Sequence, residues 1–182
     1  MIKGKETYTT TVDLVPDPRS THTAEDRALQ RQTAWKLYAL LERLTFTVES
    51  IADARDQATA RAEKLPQGEG LRKRLTGLAD EFEKQRTALV ASKEAEGGIS
   101  GEEKLREEIG MLYGNVNGYE GRPTQSQIQR MGLLGKQLDA ALAQFEASFK
   151  KDAEPLSGQL QKRKLEPIVK LTGEQWEKRA TK

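Results

Sequence analysis

AWKLYALLERLTFTVESIADARDQATARAEKL, residues 34–65, is the stretch on which the reading of this chain turns. Its seam runs through Leu37, Leu41, Leu44, Val48, Ile51, Arg55, Ala58, Ala62 and Leu65, in alternating steps of four and three, with Arg55 the one charged member. That spacing is the heptad pattern of a long helix that buries one stripe. Upstream, Thr23 followed three residues later by Asp26 supplies an N-cap and an acidic first turn. Downstream, Pro66, Gly68 and Gly70 stop the pattern. A helix over residues 24–64 follows, about 60 Å long at 1.5 Å per residue. Trp35 and Tyr38 are expected to widen its apolar face near the start.

Working outward, Leu71, Leu75, Leu78, Phe82, Gln85 and Leu89 repeat the seam on a second helix. The connection is short, so the two helices should pack antiparallel. Residues 93–101, KEAEGGISG, read as a flexible link. A third helix carries Leu105, Ile109, Leu112, Val116 and Tyr119, but Gly110, Gly114 and Gly118 recur along it. Each interior glycine costs up to about 1 kcal/mol relative to alanine, so this helix is either weak or presents a smooth face to a close neighbour. Pro123 or Thr124 opens a fourth helix with Met131, Leu134, Leu138, Leu142, Phe145 and Phe149. Pro155 predicts a kink near Lys151, or a short break before Leu156 and Leu160. Beyond it, Pro167 predicts an extended piece that folds back along the bundle and ends in a turn or two of helix around Trp176.

The segment before the helices differs in kind. Residues 6–15, ETYTTTVDLV, place Tyr8, Thr10, Val12 and Leu14 on one side of an extended strand, and they are rich in β-branched residues. No second convincing strand follows. The expectation is therefore the last strand of a β-domain outside this chain, or an arm laid on the bundle. The chain thus divides into an arm over 1–20, an all-α, elongated, antiparallel four-helix bundle over 21–165, and a tail over 166–182 that packs on the bundle or on a partner.

Composition narrows the function. The 182 residues hold 30 Lys and Arg against 28 Asp and Glu, a formal charge of +2, so no net field favours a nucleic acid or an acidic membrane. Without cysteine there is no disulfide framework or thiolate site, and with the single histidine His22 the His-rich catalytic and zinc arrangements are absent. No apolar run is long enough to span a bilayer, so membrane insertion is not expected. The first residues carry charges and threonines where a signal peptide needs an apolar run, so an extracellular or periplasmic location requires a longer precursor; cytoplasmic is the alternative.

Four features in order resemble a known family: the exit Asp17-Pro18-Arg19, the leucine-rich long helix, LYGNVNGYEGRPT at 112–124 and LSGQLQKRKLEPI at 156–168. Together they resemble the C-terminal helical region of large bacterial sortilin-like, BNR-repeat propeller proteins, some of which carry glycosyl hydrolase or photosystem II assembly factor-like labels. The resemblance implies that residues 6–15 correspond to the last strand of an immunoglobulin-like domain, and that the helical tract serves a propeller elsewhere. It carries over no catalytic residue, because the Asp-box pattern S-x-D-x-G-x-x-W does not occur here.

Few side chains announce chemistry. His22 reads as a capping or surface residue at a helix entrance. Glu102, Glu103, Glu107 and Glu108 lack the Glu-x-x-His partner of a carboxylate-bridged metal centre, and the first pair suits the opening turns of the third helix. Arg55 is expected to pack its aliphatic stem on the seam while its guanidinium snorkels or meets a carboxylate such as an acid on the third or fourth helix. Arg19 reads as a local bridge between the arm and the bundle. The basic run Lys162, Arg163 and Lys164 is interleaved with acids nearby and reads as a solvated face. No phosphate-loop motif occurs, and no cofactor is expected. Tyr8, Val12, Leu14, Arg19, Ile168, Val169 and Trp176 are the expected contacts with a protein partner, either the remainder of a propeller-containing parent or another subunit. The functional expectation is a non-catalytic spacer or docking module; the alternatives are a self-associating coiled-coil-like adaptor and an enzyme whose carboxylate or cofactor site the sequence does not announce.

Overall fold

The computed structural model describes residues 2–15, 17–91 and 103–180. It is an all-α, elongated bundle in which α1, Ala24–Glu63, is the spine. Thr23 caps it reciprocally: its hydroxyl accepts from the Asp26 N–H while its own N–H donates to the Asp26 carboxylate, both at 3.1 Å. That capping box satisfies two of the orphan donors of the first turn.

Two further helices run back along α1. α2, Gly70–Leu89, pairs with the C-terminal half, where Arg72 reaches the Leu65 carbonyl and Arg55 meets Glu83. α3, Leu105–Asn117, pairs with the N-terminal half, where Gln30 Nε2 donates to the Val116 carbonyl at 2.9 Å. α2 and α3 therefore lie end to end on α1. The segment 93–101 read as a flexible link lies outside the described residues. α4, Gln125–Ser148, runs in the direction of α1: Asp26 pairs with Arg122 just ahead of it and Arg43 with Asp139, each partner 96 residues further on. One constant offset over that length is the register of two parallel rods.

The seam of α2 is buried at all six positions read from the sequence. On α1 the buried line is Ala34, Leu37, Leu44, Thr47, Ile51, Ala54, Ala58 and Ala62, with Leu41 and Val48 only half-buried. Leu37, Leu44, Ile51 and Ala58 keep the predicted seven-residue line, and the second buried line falls three residues after it, at Thr47 and Ala54, instead of four residues after it at Val48 and Arg55. Phe82, Phe145 and Phe149 meet at the centre, Phe82 edge-to-face with Phe145 at 5.6 Å. Gln85 is buried beside them; its amide donates to Ser148 Oγ at 2.9 Å while its carbonyl oxygen has no protein partner among the described residues.

Pro155 acts where expected, by a specific device. After α4 the chain widens into one π-helical segment, Phe149–Ala153, then tightens into a 3-10 turn, Glu154–Leu156, before α5, Ser157–Lys162. The π turn adds a residue ahead of the proline, and the helix continues with Phe149, Ala153, Leu156 and Leu160 all buried. α5 ends in a Schellman motif: the Leu165 N–H reaches the Leu160 carbonyl and the Lys164 N–H the Gln161 carbonyl, both at 2.9 Å. Lys164 is left-handed there, with φ 58°, a conformation that favours glycine.

That reversal sends the tail back along α1. Gln57 clasps Val169 through two hydrogen bonds, its amide donating to the Val169 carbonyl at 2.8 Å and its carbonyl accepting the Val169 N–H at 3.0 Å. Arg61 donates to the carbonyls of Glu166 and Pro167. α6, Gly173–Ala180, closes the tail with Trp176 edge-on to Phe46 at 5.5 Å and Arg179 on Asp53 at 2.9 Å.

The arm departs from the expected strand. Only Glu6–Thr7, β2, is paired, and its partner is β1, Ile2–Lys3, in a two-residue antiparallel ladder turned at Gly4, φ 66°. Residues 8–15 form no regular structure and are exposed. Alternation and β-branching set a local preference, but a strand needs a neighbour with free N–H and C=O groups, and helices offer none.

Candidate interaction groove

At the N-terminal end of α1 the bundle leaves a surface groove of about 720 Å³. One wall is α1 itself, with Arg27, Gln30, Arg31, Ala34, Trp35 and Tyr38; the other is the end of α3 and the turn after it, with Tyr113, Asn117, Gly118 and Glu120. Residues 27, 31, 35 and 38 recur every three to four positions, so they form one strip of α1 beside the buried stripe.

Trp35 and Tyr38 do not widen the buried face, contrary to the expectation. Trp35 is 64% and Tyr38 48% exposed, and they meet each other edge-to-face at 5.6 Å. The reason lies across the groove. α3 is short, and a side chain at Gly110 or Gly114, on the surface strip next to Asn117, would meet nothing within 4 Å. Gly110 and Gly114 neither abolish the helix nor seat a neighbour from the described chain.

The groove is graded along its length. Its aromatic end is Trp35, Tyr38 and Tyr113, and its basic end is Arg27 and Arg31. Arg27 donates to the His22 carbonyl at 2.6 Å, and neither arginine has an ion-pair partner among the described residues. Edge-to-face aromatic rings beside guanidinium groups that have no ion-pair partner among the described residues combine the residue types that dominate protein contact energetics.

A polar cap closes this end of the rod. His22 lies edge-on to Tyr119 at 5.9 Å, above the buried Gly121. A Cβ on Gly121 would stand 2.6 Å from the Tyr119 ring and 2.8 Å from His22, so a side chain there would have to push both rings aside. Tyr119 is exposed and contributes nothing to the α3 seam. Arg122 and the N–H of Thr23 hold the Asp26 carboxyl below its ordinary range, the Thr23 backbone being the larger influence.

The expected contact residues fall into two groups. In the arm, Val12 and Leu14 are bare at 79% and 98%, Tyr8 is half exposed and donates to the Glu6 carboxylate, and Arg19 forms a forked pair with Asp17 at 2.7 Å. Arg19 thus closes its own loop and does not bridge to the bundle. In the tail, Ile168 is buried in the core, Trp176 packs on Phe46, and Val169 is held through its backbone with a half-exposed side chain.

Other charged groups are structural in their placement. Arg55 pairs with Asp56 at 2.7 Å and with Glu83, on α2 and not on the third or fourth helix as expected. Arg86, at 2.7 Å, and then Arg55 hold the Glu83 carboxyl down at about 2. Glu103 precedes α3, whose first turn carries Glu107 and Glu108 instead. Arg163 of the basic run pairs with Glu69 at 2.7 Å. Among the described residues no His, Asp and Glu group converges as a metal site, and no helix is long and apolar enough to cross a membrane. No protein-family model matches the chain, and comparison with curated proteins and with solved structures yields no match.

Proposed function

We propose that this chain is a non-catalytic spacer and docking module that binds protein, within a larger extracellular or periplasmic assembly of the kind its resemblance to propeller-associated helical regions implies. The observation that carries the reading is the groove: two exposed aromatic rings, a third across from them and two arginines with no ion-pair partner among the described residues, at the end of a rod whose opposite half is clamped shut. Rigid aromatic side chains expose large contact area at low entropic cost, and arginine at the edge adds orientation. The elongated body suits a brace, because α1 runs through it as one continuous helix of 40 residues.

A photo-activatable residue at position 38, compared with one at the exposed position 150, tests this in the native cells. The expected result is a discrete protein adduct from position 38 and none from position 150. Equal labelling from both, or none from the groove, contradicts the docking reading.

A further inference from the structure

The groove is open in a chain whose arm is also uncovered. Val12, Leu14 and Val15 are exposed at 79%, 98% and 78%, an apolar strip with no neighbour on its own bundle. The charges match as well. The groove carries Arg27 and Arg31 against Glu120, whereas the single charge within residues 8–15 is Asp13. The lengths are compatible: eight extended residues span about 26 Å at roughly 3.3 Å each, and Arg27 to Tyr38 covers about 16 Å of helix at 1.5 Å per residue.

We propose that residues 8–15 of one copy lie in the groove of a second copy, reciprocally, so that the chain forms a two-fold dimer by exchange of arms. Asp13 faces Arg27 and Arg31; Val15, two residues on and on the same side of the extended segment, lies against Trp35 and Tyr38, and Leu14, on the other side, meets Tyr113 on the far wall. The exchange is between copies because the root of the arm is held in its own local bonds. The Ser20 N–H reaches the Asp17 carbonyl at 3.0 Å, Arg19 forks onto the Asp17 carboxylate, and the His22 N–H donates to Ser20 Oγ at 3.3 Å. With that root in place the arm lies clear of its own groove, Val12, Leu14 and Val15 all exposed, and the groove is left to the arm of another copy. Two-fold symmetry makes every arm contact occur twice, which lets a short segment hold a pair.

This inference rests on the reading of the groove as a protein-docking surface and names its occupant. Sedimentation velocity of the full chain, from low micromolar concentration upward, tests it. The expected result is a monomer–dimer equilibrium that weakens with salt. Trp35→Ala and Leu14→Asp, both at exposed positions, should each weaken dimerisation by more than about tenfold while their thermal melts match the wild type. Mixing the two variants should restore a heterodimer, since one intact arm then meets one intact groove. Asp13→Lys and Arg31→Glu should each weaken the dimer by about tenfold, and the double reversal should recover most of the loss. A monomer at all concentrations overturns the exchange, as does a dimer indifferent to both Trp35→Ala and Leu14→Asp. A monomer whose position 38 still cross-links to a different protein overturns the exchange and leaves the docking reading standing.

Discussion

Over residues 46–63, α1 is enclosed by α2, by the rod that runs from α4 into α5, and by the returning tail; over residues 24–38 it is flanked by α3 and α4. The two halves belong to one uninterrupted helix. They differ in what the rest of the chain brings to them. In the closed half, small residues at Ala54, Ala58 and Ala62 let neighbours approach, and Gln57 and Arg61 capture tail backbone that would otherwise be unpaired. In the open half, Trp35 and Tyr38 stand across from the end of a short helix, with Tyr113, Asn117 and Gly118 on the far wall, and both rings stay exposed. Burial of an aromatic residue is decided by its neighbour, not by its own hydrophobicity alone.

The largest effect should come from breaking the closed half at its core. Phe82→Ala removes a wholly buried ring that touches Phe145 and Phe149, and should cost about 3–5 kcal/mol in chemical denaturation. Replacing Gln57 by leucine removes both hydrogen bonds to Val169, and because water can re-bond those exposed backbone groups a loss of about 0.5–1.5 kcal/mol is expected. Amide exchange should then rise across residues 166–179 and stay unchanged in α3, which distinguishes release of the tail from global loosening.

Acid acts on the same half. Because Arg86 and Arg55 hold Glu83 at about 2, below its ordinary 4.5, the stabilisation is complete above pH 4.5 and disappears as pH falls toward 2. Glu83 is partly exposed, so after solvent screening the loss is roughly 1 kcal/mol or less. Glu83→Gln should flatten that part of the stability-against-pH profile. Lys164→Gly, which relieves the left-handed backbone at the reversal into the tail, should stabilise by about 0.5–1 kcal/mol in a thermal melt. The smallest effect belongs to the open half: Trp35→Ala should change stability by less than about 0.5 kcal/mol, because the ring is already in water.

The difference between the halves also marks what was legible in the sequence. α2 could be read position by position, its six apolar-spaced residues all falling on the buried face. On α1 the line from Leu37 to Ala58 could be read in the same way, but its companion line could not, and Thr47 and Ser50, polar and unremarked, enter the buried face by donating to carbonyls four residues back. The effect of Pro155 was legible as a disturbance; the π turn that absorbs it is a matter of packing Phe149 and Leu156 together, which no local pattern states. The arm illustrates the converse, since its strand-like alternation was plain and its partner was not. For the groove one signal was present: Trp35 falls one residue beyond Ala34 and two before Leu37, out of phase with the buried line. Such a ring on the flank of a seam is either covered by a neighbour or offered to a partner, and only the shortness of α3 decides which.

The chain holds two tryptophans, one in each half, and they provide the most direct measurement. Quenching of fluorescence by acrylamide in the single-tryptophan variants Trp35→Phe and Trp176→Phe compares the halves in solution. In dilute protein, Trp35 should be readily quenched and Trp176, packed on Phe46, partly shielded. Raising the protein concentration should then protect Trp35 and leave Trp176 unchanged. A Trp35 that is shielded at every dilution, or that stays equally quenched however concentrated the protein, would contradict an open groove filled by a second copy.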